Sequence, residues 1–205
     1  METKEARYYQ ALYQVAVTIN SILDTRKVLR AIAESTTKAV QAKACSIMLL
    51  SPDRRELNHN AAYGLSDWYV RKGPVKVDLS MAEALAGHSV VVPEAGSDPR
   101  VQYRPQAVQE GIVSIFCVPI RLRGDVIGVM RVYTSEPRDF STEDIGFVEA
   151  VANLGAIALE NAHRYEEVKH DYDAVRQDLL EWYATWGLER SADALAGGIV
   201  NTPLD

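Results

Sequence analysis

Between Val151 and Trp186 one helical period runs without a break. Val151, Leu154, Ala158, Asn161, Tyr165, Val168, Tyr172, Val175, Leu179, Trp182 and Trp186 follow one another in steps of three and four. Such spacing keeps a single seam on one helix face, and neither proline nor glycine interrupts residues 156 to 186. The segment "FSTEDIGFVEA" starts the helix cleanly. Ser141 is placed to cap it, Asp144 stands where a capping-box acid belongs, and Phe140 and Ile145 flank the cap as a hydrophobic staple. About 45 residues rising ~1.5 Å each make a rod of roughly 65 to 70 Å. A compact domain of about 150 residues is only roughly 40 Å across, so the last part of the rod is expected to project. A seam of Tyr, Val, Leu and Trp is unstable alone in water, and dimerisation through it is the default expectation.

The remainder of the 205 residues reads as one domain in front of that rod. Residues Tyr9 to Leu23 carry Leu12, Val15, Ala16, Ile19, Ile22 and Leu23 at helical spacing. A second helix follows, with Asp24 as its cap and Val28, Leu29, Ile32, Ala33 and Val40 as its buried stripe. The period then becomes strand-like: "ACSIMLL", the turn "SPDRRE", and "LNHNAAY" at hairpin distance. From Gly64 to Gly111 the pattern is mixed, with "GLSDWYVRKG" and "SMAEALAG" helix-like around the brief strands "VKV" and "SVVV". Connections this long usually carry function, and Trp68, Met81, Val101 and Tyr103 suit an ordered lid. A second hairpin, "SIFCVPIRLRGDVIGVMRVY", turns around "RGD", where Gly124 can take a positive φ. The final "RSADALAGGIVNTPLD" is small, polar and expected to fray.

Charge and cysteine usage narrow the class. A formal charge of −6 without a Lys/Arg stripe argues against nucleic-acid and anionic membrane surfaces. The charged N-terminus lacks a signal peptide's apolar stretch, and no run is read as approaching the roughly 18 apolar residues of a spanning helix, which points to the cytoplasm. The two cysteines, Cys45 and Cys117, lie in apolar strand-like runs and read as buried, reduced thiols. No phosphate loop, metal-spaced histidine pair or nucleophile elbow is present, so the chain reads as no enzyme, with no metal site.

The order helix, helix, hairpin, mixed cover, hairpin and long exit helix resembles the GAF domain family. The resemblance is carried by "CSIMLLSPDRREL", "AAYGLS", "ALAGHSVVVPEAGSDPR", "EGIVSIFCVPIRLRGDVIGVMRVY" and "FSTEDIGFVEAVANLGAIALENA", over about residues 10 to 165. It implies an α+β fold related to PAS domains, with a central antiparallel sheet, the terminal helices on one face and the mixed cover on the other. A small-molecule pocket would lie between sheet and cover. The implied organisation is a GAF domain over residues 1–165, a C-terminal extension forming a parallel coiled coil over 166–190, and a flexible tail over 191–205. Such modules regulate signalling proteins as homodimers. A kinase, cyclase or transcription-factor output would have to come from a partner or from chain beyond these residues. The alternative is a ligand-free scaffold for dimerisation or partner docking.

Strand alternation puts Arg131 on one face with Ile127, Val129 and Tyr133, opposite Gly128, Met130 and Val132. The apolar set suits packed helices, so Arg131 faces the cover. A buried guanidinium needs an anion, so Arg131 reads as paired with an internal carboxylate such as Glu94, Asp98 or Glu110, as a strand-edge residue with access to solvent, or as a contact to an anionic group of a ligand. Ser46 and Met48 are expected to face the pocket, Ser46 as a ligand hydrogen-bonder or as simple packing. His59 reads as pocket wall or solvent-facing. Trp68, Met81 and Glu94 of the cover, with Arg100 and Tyr103 closing the mouth, complete the expected ligand set alongside Tyr133. "SDPRVQY" also reads as an ordinary helix start capped by Asp98. At the dimer interface the expected residues are Leu12, Ile19, Ala158, Asn161, Tyr165, Val168, Tyr172, Val175, Leu179 and Trp182, with Asn161 a candidate register device.

Within the family, the cyclic-nucleotide signature Asn-Lys…Phe…Asp-Glu cannot be assembled here. Bilin attachment needs a cysteine at the pocket edge, and haem would rest on His59 or His88 alone. No cofactor is therefore supported. The free methionine sulfoxide reductases of this fold use cover cysteines, and residues 61 to 111 contain none.

Overall fold

The computed structural model describes residues 3–21, 24–77 and 82–196. In chain order these form α1 (Lys4–Ser21), α2 (Thr25–Val40), β1 (Ala44–Leu50), β2 (Glu56–Tyr63), α3 (Asp67–Val70), β3 (Val75–Lys76), α4 (Ala82–Leu85), β4 (Val90–Val92), α5 (Arg104–Gln109), β5 (Ser114–Leu122), β6 (Asp125–Thr134) and α6 (Thr142–Ala196). Asp24 starts α2 by accepting from the backbone N–H groups of Arg26 (3.0 Å) and Lys27 (3.2 Å). Ser141 and Asp144 start α6 reciprocally: the Asp144 N–H donates to Ser141 Oγ at 3.3 Å, and the Ser141 N–H donates to Asp144 Oδ2 at 3.0 Å.

The six strands make one antiparallel sheet in the order β3-β2-β1-β6-β5-β4. Its centre is the β1–β6 ladder, where Leu49 faces Gly128. A Cβ on Gly128 would stand 2.3 Å from the Met48 carbonyl oxygen, so only glycine lets these strands meet at that point. The β5–β6 hairpin turns through Arg123 (φ 53°) and Gly124 (φ 96°), two consecutive left-handed residues that match the strand twist.

One face of the sheet packs on α1, α2 and the first part of α6. Cys45, Ile47, Phe116, Val118, Met130 and Val132 meet Val15, Leu29, Ile32, Phe147, Val148 and Val151 there. The opposite face carries two smaller clusters. Tyr69, Val101 and Ile112 cover Ala44, Ile115 and Tyr133, while Leu57, Val75 and Ala84 gather around Met48, Cys117 and Val129. At roughly 25 cal/mol per Å² of apolar surface, burial on both faces dominates the stability of the fold.

Several expectations are corrected. Helix α1 begins at Lys4 and buries Tyr8, and α6 continues through Gly187 to Ala196. Asp98 caps no helix: it accepts from the Arg100 N–H (2.8 Å) in a turn, and α5 starts only at Arg104. Ile127 joins the helix-side core rather than the face of Arg131. The ladder shifts by one residue between Ile120↔Gly128 and Arg121↔Val126, a bulge that leaves Ile127 out of the alternation. The stretch Thr142–Ala162 is long and apolar enough to cross a membrane by composition, but Phe147, Val148, Val151 and Ala152 spend that apolarity on the sheet.

By contact the chain divides into two units, Met1–Ala162 and His163–Asp205. Within the second, Tyr165, Val168, Tyr172, Val175, Leu179 and Trp182 are all exposed on the helix, and the Trp182 and Tyr183 rings meet edge to face at 5.2 Å.

Candidate functional site

The cover-side face of the sheet brings polar groups together beneath the lid. Register places Arg131 on β6 between Ser46 of β1 and Cys117 of β5. Arg131 is half-buried with its Nε shut off from solvent, and Cys117, Tyr133 and Tyr69 surround its charge. Ser46 Oγ and Tyr133 Oη share a buried 2.9 Å hydrogen bond. Tyr69 stands edge-on to Tyr133, with centroids 6.2 Å apart. Met48 is fully buried beside Val129.

Lys72, just past α3, extends this cluster toward β2. Its Nζ donates to the Tyr69 carbonyl at 3.0 Å, lies 3.2 Å from His59 Nε2, and sits 3.7 Å above the Tyr69 ring. Burial, aided by the Arg131 charge and opposed by Glu110, lowers the Lys72 ammonium to about 8. Burial first, then the Lys72 and Arg131 charges, push His59 down to about 3, so its imidazole stays neutral at ordinary pH. An ammonium can only donate; Nε2 therefore accepts, and the ring proton falls on Nδ1. That Nδ1 is buried without a hydrogen-bond partner. Burial also raises the Cys117 and Tyr133 groups, although Arg131 acts to lower both. Cys45, buried on the helix face, is pushed far up by desolvation alone. Thiols held protonated in this way are poor nucleophiles.

Other expected site residues lie elsewhere. Trp68 is exposed, and its neighbour Tyr69 points inward instead, because Ser66 caps α3 and sets that phase. Glu94 is exposed at a turn. Asp98 pairs with Arg100 at 2.7 Å, and Glu110 accepts from the Ser66 backbone and hydroxyl at 2.8 and 2.5 Å. Arg100, tied to Asp98, also reaches the Val91 carbonyl at 3.4 Å. Tyr103 is half-buried, its hydroxyl donating to the Pro74 carbonyl at 3.0 Å and its ring 5.5 Å from Lys72 Nζ. Met81 lies outside the described residues. Lys72 and Tyr69 were not among the expected residues, because "GLSDWYVRKG" reads only as a short helix of the cover and its spacing does not mark which side chains turn inward.

Among the expected interface residues, Ala158 is buried in the domain's own core and has no free face for a partner. Leu12 and Ile19 are half-buried against the same core, and the exposed stripe of α1 is Tyr9, Tyr13 and Val17. Asn161 is exposed on α6. Among the described residues no group of His, Cys, Asp and Glu side chains could hold a metal ion.

The chain thus folds as one antiparallel sheet with helices on one face and a mixed cover over polar groups on the other. Residues 24–159 match the family described as GAF domain, and the chain belongs to that family. It is 25% identical over 177 residues to a Nif-specific regulatory protein of Azospirillum lipoferum, covering 80% of this chain and 28% of that one. Over 141 residues it is 27% identical to a dual 3′,5′-cyclic-AMP and -GMP phosphodiesterase 11 of Drosophila melanogaster, 65% of this chain and 10% of that one. The GAF domain of a phosphoenolpyruvate-protein phosphotransferase from Coxiella burnetii superposes with a TM-score of 0.70 at 20% identity, covering 78% of this chain and 97% of that one. The chain thus spans under a third of these curated relatives. The relatives include regulatory proteins, and the GAF domain is in general a regulatory, non-catalytic module.

Proposed function

We propose that the chain is the sensory part of a cytoplasmic signalling protein, binding a small molecule between sheet and cover and passing its occupancy through paired α6 helices. The observation that supports this most is the enclosure of Arg131, Lys72 and His59 with Tyr69, Tyr133 and Ser46 under the lid. Keeping an ammonium and a guanidinium there depresses the Lys72 and His59 protonation equilibria, a cost that a plain scaffold has no need to carry. The exposed seam Tyr165, Val168, Tyr172, Val175, Leu179 and Trp182 supports a parallel two-stranded coiled coil with a second copy. Transmission then requires that the ligand prefer one arrangement of the two helices over the other.

A scaffold without a ligand is the second reading, favoured by how completely Met48, Val129, Tyr69 and Tyr133 fill the cover side. Thermal-shift screening of anions, nucleotides and neutral metabolites separates the two. A sensor's melting temperature rises with ligand concentration; a flat response across the panel leaves the scaffold. For the ligand found, Arg131→Ala is expected to abolish the shift while the dimer persists. Unchanged binding in that variant rejects Arg131 as a ligand contact.

A further inference from the structure

Ser46 and Met48 are fully buried under the cover, and Tyr69 and Tyr133 are no more than 2% exposed. No solute reaches the Ser46–Tyr133 pair unless part of the cover moves. Residues 65–72 are built to be that part. Glycines bracket them, Gly64 at φ 80° and Gly73 at φ 118°, in a backbone region that other residues rarely adopt. Gly64 is also required by packing, since a Cβ there would stand 2.4 Å from the Lys43 carbonyl oxygen; that contact fixes one pivot to the start of β1. Between the glycines, Ser66 caps α3 by accepting from the Tyr69 N–H at 3.1 Å, and the N–H groups of Val70, Arg71 and Lys72 donate to the carbonyls of Ser66, Asp67 and Tyr69. Among the described residues, no backbone-to-backbone hydrogen bond ties this segment to the rest of the fold. It can lift as one piece without breaking a strand ladder.

Side chains hold the segment down. On its inner side Tyr69 packs with Val101, Ile112, Ile115 and Tyr133, and Lys72 reaches His59 at 3.2 Å. At its N-terminal end stands Glu110, just past α5. The Glu110 carboxylate accepts from the Ser66 N–H at 2.8 Å and from the Ser66 hydroxyl at 2.5 Å, and an ionised acceptor makes both bonds stronger than neutral ones. Beyond Gly73 the chain is fastened differently. There the Tyr103 hydroxyl donates to the Pro74 carbonyl at 3.0 Å, the Lys76 N–H donates to the Gln102 side-chain oxygen at 2.9 Å, and β3 pairs with β2. The stretch after the second glycine is thus anchored through its backbone, whereas the stretch before it depends on Glu110 and two inward side chains. Segments tied by so few contacts open at lower free energy than the fold as a whole.

We propose that residues 65–72 are a flap, hinged at Gly64 and Gly73, that opens the cover chamber, and that Glu110 is the latch that holds it shut. A few residues at the ends of such an element absorb the backbone rotation. Opening withdraws Tyr69 from Tyr133 and Lys72 from His59 together, because the flap carries both. It uncovers the Ser46–Tyr133 pair first, then Arg131 and its cross-strand neighbour Cys117. The flap rests on the sensor reading above for its purpose, as the way a ligand enters, but its motion is measured with no ligand present.

Native-state thiol labelling of the full chain tests it, because the sheet carries one cysteine on each face: Cys117 toward the cover and Cys45 toward the helices. Cys45 is fully buried in the main core, so its labelling reports unfolding of the whole domain. Cys117 is expected to label faster than Cys45. Glu110→Ala removes both latch bonds and should speed Cys117 about tenfold while leaving Cys45 unchanged. Ser46→Cys, in a chain that also carries Cys45→Ala and Cys117→Ala, puts a thiol beneath Tyr69 and should respond to Glu110→Ala in the same way. Equal acceleration of Cys45 would make Glu110 a general stabiliser, and no response of either cover-side thiol would leave it no latch; each result overturns the proposal. If the flap proves fixed while compounds still stabilise the chain, the sensor reading stands with its entrance elsewhere. If the flap opens but no compound in the panel stabilises the chain, the flap stands and the sensor reading falls.

Discussion

His59 carries the sharpest consequence at the scale of one residue. It is half-buried beside two cations, and burial first, then the Lys72 and Arg131 charges, push its ring down to about 3 in the folded chain against an ordinary value near 6.5. As pH falls below about 6.5 the unfolded chain takes up a proton that the folded chain refuses, so stability is lost progressively down to about pH 3. Replacing the imidazole removes that slope. In urea titrations between pH 7 and 4, wild type is expected to lose more stability than His59→Phe, and the two curves should converge toward acid. Parallel curves would mean that the ring protonates as freely folded as unfolded. The same residue shows why a site can be invisible along a chain: nothing in "LNHNAAY" distinguishes His59 from a solvated histidine until Lys72, 13 positions away, is brought onto its Nε2.

Among the elements, the junction of α1 with α6 depends on a single carboxylate. Asp144 is 2% exposed, caps its own helix, and receives the Tyr8 hydroxyl, Lys4 (3.0 Å) and Arg138 (3.6 Å). Burial would raise its pKa, but the hydrogen bonds from Tyr8, Lys4 and Ser141 and the Arg138 charge hold it below the usual carboxylate range. That contribution is present above the unfolded value near 3.9 and is lost as pH falls through the depressed folded one. Asp144→Ala leaves the buried Tyr8 hydroxyl without its acceptor and the half-buried Lys4 and Arg138 without their carboxylate, and should cost about 1–3 kcal/mol at pH 7. The deficit should shrink as pH falls below the ordinary carboxylate value near 3.9, as read from urea midpoints at each pH; a deficit independent of pH would assign the loss to packing. The cap itself was legible from "FSTEDIGFVEA", as was that of α2 from Asp24, because capping and helical periodicity are local. Strand faces followed from alternation as far as Val129, and failed at Ile127, where a bulge set by the partner strand breaks the count. The start of α5 failed likewise, since Asp98 found Arg100 before it could find a helix. The inward turn of Tyr69 and the exposure of Trp68 depend on how the short α3 docks, which no local spacing encodes.

For the whole molecule, the open question is what covers the α6 seam. Tyr165, Val168, Tyr172, Val175, Leu179 and Trp182 are between 48% and 68% exposed in the single chain and recur at heptad spacing, which is the period two helices need to stay in register. Lone exposed apolar side chains need no explanation, but a continuous row of this kind does. A second copy would supply an identical row, and pairing the two would bury both. Glutamates at two core positions would have to be desolvated against each other, and like charges at that distance oppose association. Val168→Glu with Val175→Glu is therefore expected to sediment as a single chain where wild type sediments as two. The substituted residues lie outside the unit Met1–Ala162, whose near-ultraviolet circular dichroism should be unchanged. A wild-type chain that stays single at tens of micromolar, or a variant that stays double, would rule out this row as a seam between two copies.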